Sequence, residues 1–489
     1  MAENKVELAK IVGGANISSD AETLEAYSKD QSFVLPRKPS SVVRPENADE
    51  VQQIVQWANQ TGTALVPVSS SPPHFYGDTV PSVSGAVIVD LSRMTRIIRI
   101  DRRSRMIVIE PGVTYGQLQP ELAKEGMRMS TPLLPRAGKS VIASLLERQP
   151  ITVPKYQWTL LEPLRCLEVV WGDGSRFLTG EAGEQRLSLE EQWKVGISQM
   201  LPMGPGQVDY YRLVSAAQGS MGIVTWASIK CEILPQLHKL LFVPAANLED
   251  LIECAYRLVK VRLGDELLLL NGSYLASILG EGVDRITGLR EELPPWVIII
   301  GIAGRDVLPQ QRVEYQEEDI KDIVQQSGRK LGRAIPGASD SQVLRTLLNP
   351  SREPYWKLGY KGGCQDIFFL TTLEKTPEFV RTMYSMAEAM RYSSRDVGVY
   401  LQPLQQGVSC HCEFSLPYNP ENEREVARMR ELFTSASEAL LKQGAFFSRP
   451  YTIWADMAYN RDAQQMNLLR KVKATFDPNN VLNPGKLCF

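Results

Sequence analysis

The chain has 489 residues, of which 43% are hydrophobic and 22% are charged, and its formal net charge is −2. This length exceeds what one hydrophobic core usually spans, so we expect two domains. The charge has no basic excess that would point to nucleic acid or an anionic membrane. The longest apolar stretch, Trp296 to Gly304, is shorter than the roughly 20 residues of a membrane-spanning helix.

The first strong signals follow a polar lead-in over residues 1–38. Pro45 and the Asn47–Asp49 cluster start a predicted helix, and Gly62 ends it. The run ALVPV then predicts a short strand, and GAVIVDLS predicts a buried strand. The stretch SSSPPHFYGD separates these strands and predicts a stiff turn that is rich in hydroxyl groups.

Two hairpins come next along the chain. RIIRIDRRSRMIVIE predicts the first, and the helix after it ends at Gly126. CLEVVWGDGSRFLTG predicts the second, with Gly172-Asp173-Gly174 as its turn, and residues 222–235 predict a further strand. Residues 181–209 are polar and contain glycine and proline, so we expect a long loop or insertion there.

The pattern changes after Pro235. KLLFVPAANLEDLIECAYRLV predicts a strand and a helix, PPWVIIIGIAG and SCHCEFSLPY predict strands, and ENEREVARMRELFTSASEALLKQG predicts a long helix. This order favours a second domain of the α+β class, with helices on one face of an antiparallel sheet.

Cysteine and histidine usage restricts the chemistry. The seven cysteines are an odd number, which favours reduced thiols and a cytoplasmic location over a disulfide framework. The start of the chain lacks the apolar core of a signal peptide. Because no CxxC pair occurs, we expect no zinc, iron–sulfur or other metal site. Any histidine-based mechanism must use His74, His238 or His411.

Four stretches stand in a distinctive order: RPENADEVQQIVQWANQTGTALVPV, VIVDLSRMTRIIRID leading to VIEPGVTYGQLQPEL, QGSMGIVTWASIKCEILP, and KATFDPNNVLNPGK. Together they resemble flavoproteins of the vanillyl-alcohol oxidase and p-cresol methylhydroxylase type, and more distantly the glycolate oxidase and D-lactate dehydrogenase flavin subunits. The resemblance implies FAD and an α+β architecture. It places a two-subdomain FAD-binding domain at residues 1–237, an antiparallel-sheet cap domain at 238–430, and a C-terminal segment at 431–489 that returns to the FAD domain.

In this family the serine-proline turn corresponds to a loop that wraps the FAD pyrophosphate, usually with glycines. A concave row of backbone N–H groups has to approach two phosphates there. The resemblance assigns six residues of the turn to the cofactor: Ser69, Ser70, Ser71, Pro72, His74 and Gly77. Pro72 and Pro73 remove two N–H donors, and we expect the serine hydroxyls to replace them. A rigid surface turn without a ligand is the alternative.

His74 has two possible roles under this resemblance. Some relatives attach FAD covalently through a histidine near this place, although the glycines that surround it there are missing here. We favour a non-covalent role in which the ring stacks on the flavin or makes a hydrogen bond beside it.

Two further segments are expected to contact FAD. The small residues Gly138, Ser140, Ala143 and Ser144 suit a close approach of backbone to cofactor, while Lys139 is expected to face solvent. Ser140 is alternatively a helix cap, and a helix N-terminus that faces a phosphate satisfies both interpretations. In the second segment, the resemblance assigns Gly219, Gly222 and Ile223 to the cofactor.

Three residues are candidates for the chemistry. Relatives carry a carboxylate near the flavin N5, but the matching position here is Tyr156. Tyr156 is therefore a substrate-orienting candidate, with plain packing as the alternative. Arg449 matches an arginine near the flavin N1–C2 carbonyl, where a guanidinium stabilises the charge of the reduced ring. His411 faces away from Cys410 and Cys412 on a strand, and it is either an active-site or a buried structural residue.

The resemblance implies a dehydrogenase or oxidase that moves a hydride from a carbon of a phenolic or aromatic alcohol to flavin N5. Oxygen or a partner protein subunit receives the electrons, and we expect a homo-oligomer or a hetero-complex. An aromatic pocket is expected from Tyr355, Trp356, Tyr360 and Tyr400, any of which is alternatively ordinary core. The other two hypotheses are a 2-hydroxy-acid dehydrogenase flavin subunit and a non-catalytic scaffold subunit.

Overall fold

The computed structural model describes residues 2–154, 163–183, 187–204 and 209–489. Its helices are α1 (Ala2–Val12), α2 (Ala21–Ala26), α3 (Ala48–Thr61), α4 (Tyr115–Lys124), α5 (Val141–Leu146), α6 (Leu189–Lys194), α7 (Tyr211–Val214), α8 (Glu249–Lys260), α9 (Gly272–Leu279), α10 (Val283–Glu292), α11 (Pro309–Gln326), α12 (Asp340–Leu348), α13 (Thr376–Ala389), α14 (Glu423–Lys442), α15 (Ile453–Tyr459) and α16 (Ala463–Phe476). Among the described residues, none of these helices has the length and apolar character needed to cross a membrane.

The strands fall into three main sheets and two short pairs. They are β1 (Ile17–Ser18), β2 (Ser41–Val43), β3 (Leu65–Val68), β4 (Val87–Asp90), β5 (Ile97–Asp101), β6 (Met106–Ile109), β7 (Met127–Arg128), β8 (Leu164–Trp171), β9 (Arg176–Leu178), β10 (Gly222–Lys230), β11 (Glu232–Ile233), β12 (Leu237–Ala245), β13 (Leu267–Asn271), β14 (Trp296–Gly304), β15 (Ala334–Ile335), β16 (Ala338–Ser339), β17 (Gly363–Thr371), β18 (Gly398–Leu404) and β19 (Ser409–Tyr418).

The first sheet has the order β1-β2-β4-β3, in which β4 pairs in parallel with both neighbours β2 and β3. Helix α3 packs its apolar face on this sheet. The Asn47 side chain accepts a hydrogen bond from the Glu50 N–H at 2.9 Å and starts the helix, and Gly62 ends it with a φ of 66°. Both predicted ends of this helix are confirmed, because their signals act within one turn.

The second sheet is antiparallel, with the order β5-β6-β10-β8-β9, and it contains both predicted hairpins. Helices α4 and α5 pack against it in one core. The C-terminal tail lies against the first sheet, because the Leu65 N–H donates to the Val481 carbonyl at 2.7 Å and the Asn483 N–H donates to the Leu65 carbonyl at 2.8 Å. The end of the chain therefore joins strand β3 just before the serine-proline turn.

The third sheet has six antiparallel strands in the order β12-β14-β13-β18-β19-β17. The prediction that helices cover only one face of this sheet was wrong. Helices α8, α11, α13 and α14 cover one face, while α9, α10 and α12 cover part of the other. The reason lies in residues 240–243 of β12 and in β14, whose side chains are apolar and buried on both faces.

The prediction of a long loop at 181–209 was partly wrong. Helix α6 lies inside this segment, and its first turn forms a capping box between Ser188 and Glu191. Residues 184–186 and 205–208 lie outside the described residues. The predicted boundary at residue 430 falls inside α14, which packs against the third sheet along its length. The division into three segments remains a prediction.

Candidate active site

Three neighbouring cavities extend from the first two sheets, past the serine-proline turn, to the third sheet, and together we call them the channel. We name its three parts the sheet section, the turn section and the cap section. The sheet and turn sections share walls such as Val68, Ser69 and Ala143. The turn and cap sections share Tyr76 and Arg136. The three sections are therefore neighbouring cavities with common walls.

The sheet section has mostly apolar walls. Gly219, Gly222 and Ile223, which were predicted to contact the cofactor, all line it. Gly219 has a φ of +69°, and a Cβ there would lie 2.5 Å from the Pro67 ring. A Cβ on Gly222 would lie 2.5 Å from the Val169 side chain. Glycine is thus required at both positions for the backbone to pack this closely.

The turn section holds only part of the turn that was predicted to contact FAD. Ser69, Ser70 and His74 line it. Ser71 and Pro72 are exposed at the surface outside its wall.

Gly77 is also absent from the wall of the turn section, and it is buried. A Cβ there would lie 2.5 Å from a methyl group of Val34. The C-terminal tail holds this glycine in place, because Lys486 Nζ donates to the Gly77 carbonyl at 2.7 Å. Its position therefore reflects packing of the N- and C-terminal segments.

Two of the three serine hydroxyls join the turn to the second predicted loop. Ser70 Oγ accepts a hydrogen bond from the Ser140 N–H at 3.0 Å, and Ser71 Oγ donates to the Gly138 carbonyl at 3.2 Å. A Cβ on Gly138 would lie 2.6 Å from Ser71 Oγ, so this contact needs glycine. These two hydroxyls hold the loops together and leave Ser69 as the serine whose hydroxyl is not used in this way.

The second loop positions one small residue on the channel wall. Ser140 caps α5, because its Oγ accepts from the Ala143 N–H at 3.1 Å, and it also donates to the Pro111 carbonyl at 2.5 Å. Ala143 follows on the wall of both the sheet and the turn sections. Ser144 is fully buried and donates to Gln149 at 2.6 Å, which points to a structural role.

The charges of the turn section nearly balance. Lys139 was expected to face solvent, but its ammonium lies 2.5 Å from the Glu147 carboxylate and it lines the channel. Burial, and then the charge of Glu147, raises the pKa of Asp78 to about 7. Arg136 is buried and donates to the Ser71 carbonyl. Arg136 is therefore a buried cation near two carboxylates, of which Glu147 is paired with Lys139 and Asp78 is partly protonated.

The His74 ring nitrogen Nε2 is buried and has no hydrogen-bond partner. Burial, and then the positive charge of Arg136, lowers the pKa of His74 to about 3. The imidazole is therefore neutral at neutral pH, and it offers an unused nitrogen in the turn section. Leaving a buried polar atom without a hydrogen bond costs free energy, so the unpartnered nitrogen indicates that a hydrogen-bonding group binds beside it.

Tyrosines line much of the cap section. They are Tyr76, Tyr274, Tyr355 and Tyr400. Of the four aromatic residues predicted for this pocket, Trp356 instead packs edge-on against Tyr274 with ring centroids 5.2 Å apart, and Tyr360 lies under the Arg290 guanidinium at 4.1 Å. The pocket prediction is thus supported by two of its four residues.

Arg449 also lines the cap section and is only 6% exposed. Its guanidinium carbon lies 4.0 Å from the centre of the Phe368 ring. Within the part of the chain that the structure describes, no ion pair holds this guanidinium. A buried cation beside a cavity is suited to hold an anionic group.

His411 lies on β19 behind the cavity wall. Its Nε2 is 3.3 Å from Glu413 Oε2, and its ring centroid is 5.6 Å from that of Tyr400. Burial lowers the pKa of His411, although Glu413 opposes this effect. Cys410 and Cys412 point to the opposite face, into the core, as the alternation of the strand predicted.

Sequence reasoning missed a charged cluster in the cap section. Lys357 Nζ lies 2.6 Å from Asp366 Oδ2 and 2.7 Å from Glu413 Oε1, and all three residues are buried. Tyr274 donates to the same Glu413 oxygen at 2.8 Å. One signal was present, since the run CHCEFS places an isolated acid on the same strand face as His411. Lys357 gave no comparable signal.

Burial and the charges of the neighbouring residues together set the protonation states in this cluster. Burial alone would lower the pKa of Lys357, but Asp366 and Glu413 raise it well above its usual value. Burial and the neighbouring Glu413 raise the pKa of Asp366 against the opposing effect of Lys357. Burial raises the pKa of Glu413, but Lys357 and His411 outweigh it and hold that pKa below its usual range.

Two family models match this chain. Residues 39–146 match a model described as an FAD binding domain, and residues 451–487 match the C-terminal domain of FAD linked oxidases. The chain therefore carries an FAD-binding domain and the C-terminal domain of FAD linked oxidases, and it is an FAD-dependent oxidase or dehydrogenase. The matched regions contain the serine-proline turn, the second loop and the tail that holds Gly77.

Two relatives match nearly the whole chain at low identity. A D-2-hydroxyglutarate dehydrogenase from Stutzerimonas stutzeri (strain A1501) is 22% identical over 98% of this chain and 98% of its own length. The 4-cresol dehydrogenase [hydroxylating] flavoprotein subunit from Pseudomonas putida is 22% identical over 97% of this chain and 93% of its own length. Both relatives are named as dehydrogenases, but the substrates in their names differ.

Solved structures show the same fold. P-cresol methylhydroxylase with substrate bound matches with a TM-score of 0.84 at 18% identity, covering 100% of this chain and 96% of that one. A 4-ethylphenol oxidase from Gulosibacter chungangensis matches with a TM-score of 0.84 at 19% identity, covering 99% and 96%. The predicted two-subdomain FAD-binding fold with an antiparallel-sheet cap is confirmed.

The channel of this FAD-linked oxidoreductase fits its cofactor. Apolar walls in the sheet section suit a flat heteroaromatic ring, and Arg136 with the unused nitrogen of His74 suits the polar middle of a dinucleotide. When bound, FAD supplies a two-electron acceptor for substrate oxidation. Tyr156 lies outside the described residues, so its assignment, like the other site assignments, remains a prediction.

Proposed function

We propose that this FAD-linked oxidoreductase oxidises a phenolic or aromatic alcohol, from whose carbon a hydride passes to FAD. The cap section carries this proposal, because its four tyrosines, Tyr76, Tyr274, Tyr355 and Tyr400, surround a space that opens into the cofactor channel. Tyrosine side chains combine a ring face for aromatic packing with a hydroxyl for hydrogen bonding.

The hydroxyls of Tyr76 and Tyr355 act as hydrogen-bond donors to the substrate in this proposal. Burial raises the pKa of Tyr355 above its usual value, and it raises that of Tyr76 well above it, with Asp366 adding to the effect in both. Both phenols therefore stay protonated at neutral pH. A substrate oxygen in the cap section meets donors, which suits a phenol or an alcohol.

Arg449 stabilises negative charge as it develops in the reaction. Its guanidinium is fixed over Phe368 and needs no rearrangement when that charge appears. A preorganised donor in a site that excludes water contributes more to rate than one that has to be reoriented. The proposal therefore keeps Arg449 in the role predicted from the sequence.

The second candidate function is the oxidation of a 2-hydroxy acid. It is favoured by the cations Arg136 and Arg449 at the cap section, which suit a substrate carboxylate. Relatives of this chain named D-2-hydroxyglutarate dehydrogenase and D-lactate dehydrogenase fit this alternative, and the 4-cresol dehydrogenase relative fits the first. The tyrosine walls lead us to place the aromatic alcohol first.

We also propose that a protein partner or oxygen takes the electrons from reduced FAD. The 4-cresol dehydrogenase relative is named as a flavoprotein subunit, which supports a partner protein. A test is to reduce the purified protein anaerobically and to measure reoxidation by air and by redox proteins. Fast reoxidation by air alone would identify an oxidase.

The substrate proposal is tested by anaerobic mixing. The purified protein is mixed with a series of 4-alkylphenols and benzylic alcohols, and separately with D-2-hydroxy acids, while the visible flavin absorbance is recorded. We expect bleaching by members of the first series. Bleaching by hydroxy acids alone would establish the second candidate instead.

A further inference from the structure

The charged cluster of the cap section holds one more carboxylate than its cation balances. Lys357 contacts both Asp366 and Glu413 within 2.7 Å, and its positive charge compensates only one of them. The three residues come from different segments, since Lys357 precedes β17 while Asp366 lies on β17 and Glu413 on β19. The cluster therefore carries an excess negative charge when both acids are ionised.

A buried excess charge is unfavourable in a purely structural role. A lysine with one carboxylate already forms a complete buried ion pair, and a second carboxylate adds desolvation and repulsion. The extra acid here is nevertheless held firmly, because Ser415 donates to Asp366 Oδ1 at 2.7 Å. The same residues line the cavity beside Arg449. The arrangement suits a group that gains and loses a proton during a reaction.

We propose that Asp366 is the proton acceptor for the substrate hydroxyl, with Glu413 and Lys357 as its positioning residues. The inference rests on the proposed function and deepens it.

The step balances in atoms and electrons. The alcohol O–H bond breaks and its proton goes to a carboxylate oxygen of Asp366. The C–H bond of the carbon that carries this oxygen breaks, and the hydrogen leaves with the electron pair as a hydride; FAD, when bound, would supply the two-electron acceptor for it. A C=O double bond forms between carbon and oxygen, and Asp366 later returns the proton to water.

Asp366 rather than Glu413 is the acceptor because of their different surroundings. Glu413 receives hydrogen bonds from Lys357 and Tyr274 on one oxygen and lies near His411 with the other, so it stays ionised. Burial and the repulsion from the ionised Glu413 therefore act on Asp366 and raise its pKa, which makes it the acid that binds a proton more readily. The titratable groups that face Asp366 are Lys357, Glu413, Cys364, Tyr76, Tyr274 and Tyr355.

An infrared titration tests the proton state without any substrate. We expect a protonated-carboxyl C=O band in the wild-type protein that disappears as pH rises and that is missing in Asp366→Asn. In Glu413→Gln the repulsion on Asp366 is gone, so the same band should vanish at a lower pH. Loss of the band at the same pH in wild type and Glu413→Gln overturns the inference, as does its retention in Asp366→Asn.

Rapid anaerobic reduction tests the role in chemistry. The matched control is Glu266→Gln, because Glu266 is, like Asp366, a buried carboxylate in contact with a basic residue. His238 Nε2 lies at 2.8 Å and Arg128 at 3.1 Å, and Glu266 lines a different cleft. We expect Asp366→Asn to slow flavin reduction by about 100-fold or more relative to this control, with FAD content and melting temperature matching it. Equal reduction rates in the two variants overturn the inference.

The two proposals fail in different ways. If hydroxy acids but not aromatic alcohols bleach the wild type, the aromatic substrate is wrong, and the same variants are compared with the hydroxy acid. The infrared band reports on Asp366 whichever substrate is found. A titrating band that depends on Glu413 therefore supports the inference even where the aromatic substrate fails.

Discussion

Arg136 donates a hydrogen bond from Nη2 to the backbone carbonyl of Ser71, across 65 residues of sequence. The same guanidinium lies 5.9 Å from the centre of the Phe75 ring and 3.8 Å from a carboxylate oxygen of Glu353. One buried side chain thus links the serine-proline turn, the second loop and the cap domain around the middle of the cofactor channel.

Replacing Arg136 should weaken FAD binding more than it weakens folding. In Arg136→Met the turn loses this hydrogen bond and the channel loses a cation, which we expect to cost about 1–3 kcal/mol, or roughly fivefold to 150-fold in affinity. Fluorescence titration of the apoprotein with FAD measures the change. The control is Arg352→Met, an exposed arginine nearby whose loss should leave the affinity unchanged.

His74 should give the apoprotein a dependence of stability on pH. Its pKa in the folded protein is lowered from 6.5 to about 3, so between these values the unfolded chain binds a proton that the folded chain does not. Stability from this group is therefore full above about 6.5 and falls as pH decreases toward 3. His74→Gln should show a smaller loss of melting temperature than wild type between pH 7 and pH 4.5. Equal pH slopes would contradict this.

The same histidine gives a prediction about attachment. Because we favour a non-covalent role for His74, acid denaturation of the holoprotein should release all FAD into the supernatant. Intact-mass measurement of the denatured chain checks this directly. A chain mass increased by one FAD, and restored to the bare mass in His74→Gln, would establish the covalent alternative.

Gly219→Ala should lower stability through a clash as well as backbone strain. Its added Cβ would lie 2.5 Å from the Pro67 ring at a φ of +69°. Gly282→Ala is the matched control, because Gly282 has a φ of +96° but nothing within 4 Å of the added Cβ. We expect strain alone to cost about 1 kcal/mol or more and Gly219→Ala to cost more than Gly282→Ala. Urea unfolding of the apoproteins measures both.

Arg449→Met should slow the reaction while the protein still folds and binds FAD. Loss of a preorganised cation near developing charge lowers rates by about 100-fold or more. It should also lower the flavin reduction potential, because the reduced ring loses a countercharge. Arg449→Lys should recover part of both effects, since it keeps the charge but not the planar guanidinium. An unchanged potential in Arg449→Met would place the guanidinium away from the flavin.

Local signals in the sequence were sufficient for many single elements. Asn47 and Gly62 gave the ends of α3, and the turn Gly172-Asp173-Gly174 joined a hairpin as predicted. The capping box of Ser188 and Glu191 that starts α6 is equally local, but the glycines and prolines around it led to the prediction of a loop instead. Such signals act within one or two turns of chain, so they can be read from neighbouring residues.

The channel could be predicted only as far as the resemblance extended. Gly219, Gly222 and Ile223 line it as expected, whereas Ser71 and Pro72 lie outside it. Whether a serine hydroxyl faces a ligand or a neighbouring loop depends on how closely that loop approaches, and this distance is set by packing across the whole domain.

The sequence by itself determined the local elements, the order of the family motifs and hence FAD and the type of fold. Only the tertiary structure decided that helices cover both faces of the cap sheet and that Lys357 meets two carboxylates beside Arg449. The physical reason is the separation in sequence over which each kind of interaction acts. Caps and alternation act between near neighbours, whereas Lys357 and Glu413 stand 56 residues apart until the strands of the third sheet bring them into contact.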